Sequence, residues 1–159
     1  MADLQTLLSY FLQDLYVGTW GSTLSPASVK LTGATGGATT TIQSVSAVVN
    51  TTGGAATEVS AGLLPAGSLI LGVTARVTTI IAGGGIASFS IGHAADTDAW
   101  GVGILVAAGT TTSMANFTVT SPMYCVTATD LRLTANAGTF TSGVVRLSVS
   151  YLSLVAPAS

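Results

Sequence analysis

From Leu63 to Ile81 the sequence reads LLPAGSLILGVTARVTTII. After the turn signal Pro65-Ala66-Gly67, apolar and polar positions alternate. Leu69, Leu71, Val73, Ala75, Val77 and Ile81 fall on one parity, and Thr74, Arg76 and Thr78 on the other. A period of two with β-branched enrichment predicts a half-buried strand in an antiparallel sheet. The pattern outlasts the common strand of about 5–6 residues, so a bend or bulge is expected near Gly72. This stretch reads as the central strand of a β-sandwich.

The same signals recur along the chain. Strands are predicted at Ile42–Val49, Ala56–Ser60, Ser68–Ile81, Ala87–His93, Gly103–Ala107, Met114–Thr120, Met123–Thr127, Asp130–Ala135 and Val144–Leu154. Between them stand Gly53-Gly54, Gly83-Gly84-Gly85, Ser121-Pro122 and Asn136-Ala137-Gly138, at the spacing of sandwiches and barrels. The last strand sets Val145, Leu147, Val149 and Tyr151 against Arg146, Ser148 and Ser150. Beyond it the parity slips to Leu152 and Leu154, as a bulge or a change of cover would cause. No repeat of 20–50 residues and no heptad is present, so the chain holds no fibre shaft.

One segment follows a helical period instead. Leu4, Leu7, Leu8, Phe11, Leu12 and Leu15 obey the i, i+3, i+4, i+7 rule over residues 3 to 17. Asp3 suits the N-cap and Gly18 the stop. Such a face must be buried, either on the chain's own sheet or on a partner. The following Gly/Ser/Thr/Pro-rich stretch, residues 18–41, reads as an extended arm rather than regular structure. Its Trp20 is expected to anchor on an apolar surface. The expected fold is all-β: an antiparallel, jelly-roll-like β-sandwich over residues 42–159, preceded by an N-terminal amphipathic helix and extended arm over residues 1–41.

Composition sharpens this picture. Only 6% of the 159 residues are charged and the net charge is −2, far below the usual charged share of about 25%. Outward positions carry Thr, Ser and Gly where a monomeric sheet would place Lys and Glu to guard its edges. A subunit covered by its neighbours is implied, with an oligomer as the expected state. Four scattered basic residues, Lys30, Arg76, Arg132 and Arg146, cannot form a track along phosphates, so no nucleic-acid partner is expected. No membrane partner is expected either. The N-terminus lacks the basic region of a secretory signal, and no apolar run approaches the ~20 residues of a membrane-spanning helix. The single Cys125 forms no internal disulfide, which fits assembly in a reducing cytoplasm, and reads as a buried thiol.

Candidate chemistry is sparse. Asp96 and Asp98 in GHAADTDAWG, with Trp100 beside them, form a possible ligand loop. Two carboxylates are too few for a Ca²⁺ that wants 6–8 oxygens, and an Asx turn is their expected use. Trp100 is expected to pack the loop back onto the sheet. His93 shares the parity of Phe89 and Ile91 and reads as structural. With one His and no G-x-S-x-G elbow, nucleophilic catalysis finds no support. The glycine runs give neither a P-loop nor a dinucleotide fingerprint. Neither catalytic residues nor cofactors are expected, and no metal site. Aromatic residues and Asp/Asn loops keep sugar binding open.

Finally, ATEVSAGLLPAGSLILGVTARVTT, GHAADTDAWG, NFTVTSPMYCVTATDLRLTANAGTF and VVRLSVSYL together resemble a β-sandwich module of tailed-bacteriophage virion proteins, over roughly Ala56 to Leu154. The module occurs at tail-fibre ends and in small head-associated proteins. The resemblance implies a structural virion subunit, often a homotrimer, assembled in the host cytoplasm and partnered by the major capsid protein or other virion subunits. Chain layout then favours a capsid decoration or cement protein attached through Leu4, Leu7, Leu8, Phe11, Leu12, Leu15 and Trp20. The alternative is a tail-fibre or receptor-binding tip, with a lectin-like surface for a host glycan around Asp96, Asp98 and Trp100.

Overall fold

The computed structural model describes residues 28–32, 38–118 and 122–156. Among these residues nine strands form two antiparallel sheets. The strands are β1 (Ser28–Thr32), β2 (Thr39–Asn50), β3 (Thr57–Leu64), β4 (Ser68–Ala82), β5 (Ser88–Gly92), β6 (Gly101–Leu105), β7 (Met123–Cys125), β8 (Thr129–Ala135) and β9 (Ser142–Val155). One sheet has the order β1-β2-β9-β4-β7 and the other β3-β8-β5-β6. The pairings nest: β2 lies on β9, β3 on β8, β4 on β7 and β5 on β6. The chain is thus a long antiparallel ribbon rolled across two sheets, the jelly-roll arrangement.

β4 is the longest strand, as its sequence pattern predicts, but the central place expected for it belongs to β9: β4 lies between β9 and the three-residue edge strand β7, which pairs only with Ser68–Ile70. The expected bulge is present. The register with β9 shifts between Ile70 and Gly72, so Leu71 is the extra residue. Because side chains alternate, one extra residue moves the strand's inward set to the other parity. Ser68 and Ile70 are buried before the bulge, and Val73, Ala75 and Val77 after it. Placing Leu69 and Leu71 with the core is therefore corrected: Leu71 is 40% exposed.

Two further expectations change. Residues 28–32, read as irregular arm, form β1, which pairs with β2 from Ser28 opposite Gln43 to Thr32 opposite Thr39. Met114–Thr120 does not form a strand. Met114–Asn116 is instead a 3-10 turn whose start is closed by side chains in a capping box and whose end is closed by the Phe117 amide donating to the Met114 carbonyl. Ser113 Oγ accepts from the Ala115 amide and Asn116 Oδ1 accepts from the Ser113 amide. Such local capping competes with strand pairing and here prevails.

The core fills the space between the sheets. Val73, Val77, Val145, Leu147 and Val149 face Phe89, Ile91, Leu131 and Leu133, all buried. Phe89 and Phe140 meet edge to face, with centroids 6.4 Å apart. Burial at about 25 cal/mol per Å² of apolar surface makes this layer the main support of the fold. Cys125 is buried at the end of β7, as expected, and burial pushes its thiol pKa up while the Thr129 hydroxyl partly opposes that rise.

Candidate interaction surface

The outer face of the five-stranded sheet is built by register. Residues opposite one another on neighbouring strands share a face, so each row across β2, β9 and β4 can be read directly. Ser46 lies opposite Ser148, which lies opposite Thr74; the next row runs Ser44, Ser150, Gly72. These rows make a strip of hydroxyls with no charge, as the alternation of β2 and β9 predicts.

At one end the strip gives way to apolar side chains. Ile42 lies opposite Leu152, Leu152 opposite Leu69, and Leu69 opposite Tyr124 of β7. Ile42, Leu71, Tyr124 and Leu154 are each 40% exposed or more, with Leu69 and Leu152 half-buried among them. The register of β9 with β2 continues unbroken through this end. The slip in pattern at Leu152 and Leu154 is therefore a change of cover, not a bulge. Large apolar side chains grouped on one solvent-facing sheet mark an interaction surface more than scattered ones do.

At the other end stands a pair of like charges. Arg76 of β4 lies directly opposite Arg146 of β9, and both are exposed. Val48 continues the row on β2 and Thr111 on the far side. The shallow hollows around the two guanidinium groups are lined by Ser46, Thr74, Thr111, Thr112 and Ser148 among others, and among the described residues by no carboxylate. Like charges directly opposite on neighbouring strands are unfavourable. Sequence reading named both arginines but had no register with which to pair them.

The candidate ligand loop lies between β5 and β6. His93 and Asp96 exchange backbone hydrogen bonds at 2.7 and 3.2 Å, and the Asp98 amide donates to Asp96 Oδ1 at 3.4 Å. This is the expected Asx geometry. Gly92 makes the tight return possible, since a Cβ there would stand 2.1 Å from the Asp96 carbonyl oxygen. The loop is tied to the segment after the 3-10 turn by Thr118, whose hydroxyl donates to the Asp98 carbonyl. Sharing a proton with the Asp96 carboxylate raises the pKa of Asp98, with smaller contributions from burial and charge repulsion. Trp100 is 2% exposed and its ring lies against His93, centroids 5.6 Å apart. It packs the loop onto the sheet as expected, and for that reason offers no open face on which a sugar could stack.

Leu4, Leu7, Leu8, Phe11, Leu12, Leu15 and Trp20, the expected attachment set, lie outside the described residues. Among the described residues no three of His, Cys, Asp and Glu gather into a metal-binding group, and no helix is long and apolar enough to cross a membrane.

No protein-family model matches this sequence, and no curated protein matches it. Among solved structures, a chain of the cyanophage Pam1 capsid asymmetric unit is similar in fold. The TM-score is 0.50 at 17% identity, and the match covers 86% of this chain and 96% of that one. At that identity the likeness speaks for the shared fold alone.

Proposed function

We propose that this chain is a non-enzymatic structural protein of a phage virion. In its specific form the proposal is a capsid decoration or cement subunit, bound to the major capsid protein through Leu4, Leu7, Leu8, Phe11, Leu12, Leu15 and Trp20. The observation that carries it is the fold likeness to a chain of a capsid asymmetric unit, which extends over 96% of that chain. The sparse charge and the apolar end of the outer sheet support a protein that works while covered.

The mechanism is bridging. Apolar burial of about 25 cal/mol per Å² must exceed the cost of association, so an arm needs a continuous apolar face, which the helical pattern of residues 3–17 supplies. Several arms joined in one oligomer, a homotrimer in this proposal, dissociate far less readily than one. The tail-fibre tip with a glycan site ranks below this reading, because burial of Trp100 leaves the Asp96–Asp98 loop without an aromatic platform.

The test uses particles stripped of this protein. Wild-type chain should sediment with them. The double variant Leu8→Asp, Phe11→Asp should stay in the supernatant with its strand circular dichroism unchanged. If the variant binds as tightly as wild type, attachment through the N-terminal segment is wrong.

A further inference from the structure

Two pairs of like charges stand out among the described residues, one pair exposed and the other half-buried. Arg76 and Arg146 stand opposite each other on the outer face of the five-stranded sheet. Asp96 and Asp98 share the β5–β6 loop, where the Asp98 amide donates to Asp96 Oδ1. We propose that these pairs are the two halves of one contact: the Asp96–Asp98 loop of one copy of this chain docks on the Arg76–Arg146 pair of the next.

The geometry fits such a contact in several ways. Opposed residues in an antiparallel pair have Cα atoms about 4.5–5.5 Å apart, so the two guanidinium groups rise side by side. The turn holds the two aspartates together: the Asp98 amide donates to Asp96 Oδ1 at 3.4 Å, and Asp96 is itself pinned by backbone hydrogen bonds with His93. Each pair is thus pre-positioned to meet the other, and guanidinium groups bind carboxylates with paired, charge-assisted hydrogen bonds. The apolar surroundings match as well. Val48, 54% exposed, flanks the arginines, and the exposed Ala94 and Ala95 precede the acidic pair.

The contact must come from another copy. Neither Asp96 nor Asp98 lines the hollows around the arginines. The loop is anchored instead through Thr118, next to Phe117, which rests on Gly72. Gly72 lies four residues before Arg76, about 13 Å along an extended strand. A nucleic acid is a poor occupant, because two guanidinium groups with no exposed aromatic in their row cannot follow a phosphate chain. Joining two different patches makes the contact heterologous, and such contacts close into rings when the rotation allows. Charge matching of this kind sets register and partner choice, while the apolar end of the same sheet can add affinity.

The proposal does not depend on the virion reading and is tested on the purified chain. Its mass in solution should be that of a closed oligomer at low salt, shifting toward monomer as salt rises. Arg76→Glu with Arg146→Glu should weaken association about tenfold or more. Asp96→Lys with Asp98→Lys should do the same. All four changes in one chain should restore the wild-type mass. Asp96→Asn with Asp98→Asn provides a milder loop change should the lysines disturb folding, and should also weaken association. A monomer at every concentration overturns the proposal, as does an oligomer indifferent to both pairs. Loss on changing the arginines but not the aspartates also overturns it, since the arginines would then meet another protein's carboxylates.

Discussion

The ring of Phe117 occupies the space that a side chain on residue 72 would need: a Cβ built on Gly72 would lie 2.7 Å from Phe117 Cε2. Gly72 directly follows the bulge that switches β4 from one inward parity to the other. Absence of a side chain thus lets the segment after the 3-10 turn close over the bulge, and Thr118 then fixes the Asp96–Asp98 loop. One glycine joins the longest strand to the loop.

Gly72→Ala should destabilise the protein by about 1–3 kcal/mol, the usual cost of overpacking. The cost should shrink when Phe117→Ala is made in the same chain, because the ring is what the new methyl meets. Denaturant midpoints of the four members of this cycle check the coupling.

Thr112 holds the edge of β4 where β7 does not reach. The Ala75 amide donates to its hydroxyl at 2.8 Å, and the Thr112 amide donates to the Ala75 carbonyl at 2.9 Å. Thr112→Val keeps the shape but leaves a buried amide unpaired, at about 1–3 kcal/mol. Amide hydrogen exchange should quicken at Ala75 more than in the core strands.

Asp98 makes stability depend on pH. Its pKa is raised above the ordinary 3.8 by the shared proton with Asp96, so the native state holds that proton more tightly than the unfolded chain. The associated stability is fully present below 3.8 and is lost as pH rises through the native value. Once Asp98 gives up that proton, charge repulsion from Asp96 acts on it. In dilute solution Asp98→Asn should therefore melt above wild type at neutral pH, and the advantage should fade in acid. An unchanged difference across that window would contradict the shared-proton geometry.

Cys125 should react slowly with a thiol reagent even in mild alkali. It is 3% exposed, and burial raises its pKa, so both access and thiolate fraction are low. Reaction in denaturant should be many times faster, and the ratio reports how often the β7 end opens.

Much of the sandwich was legible in the sequence because one-sided burial leaves a period of two. That pattern located β2, β4, β8 and β9, and the alternation of Val145, Leu147 and Val149 predicted their burial. A bulge was also readable at Gly72, yet its consequence for Leu69 and Leu71 was not, since parity must be recounted after the extra residue. Ser113 and Asn116 turned an expected strand into a capped turn, a local competition that period counting cannot see. β1 was hidden because its Ser, Lys and Thr sit in a stretch whose neighbours are glycine and threonine. Of the candidate site, Asp96 and Asp98 were visible as a motif. The opposition of Arg76 and Arg146 was not, because they are 70 residues apart in the numbering and only strand register brings them together.

The most direct measurement of the central proposal is the number of copies of this chain per virion relative to the main shell protein. A decoration or cement subunit predicts copies in proportion to the shell lattice, recovered with purified heads. A handful of copies, recovered with tails, would contradict that reading and assign the chain to a fibre or its tip.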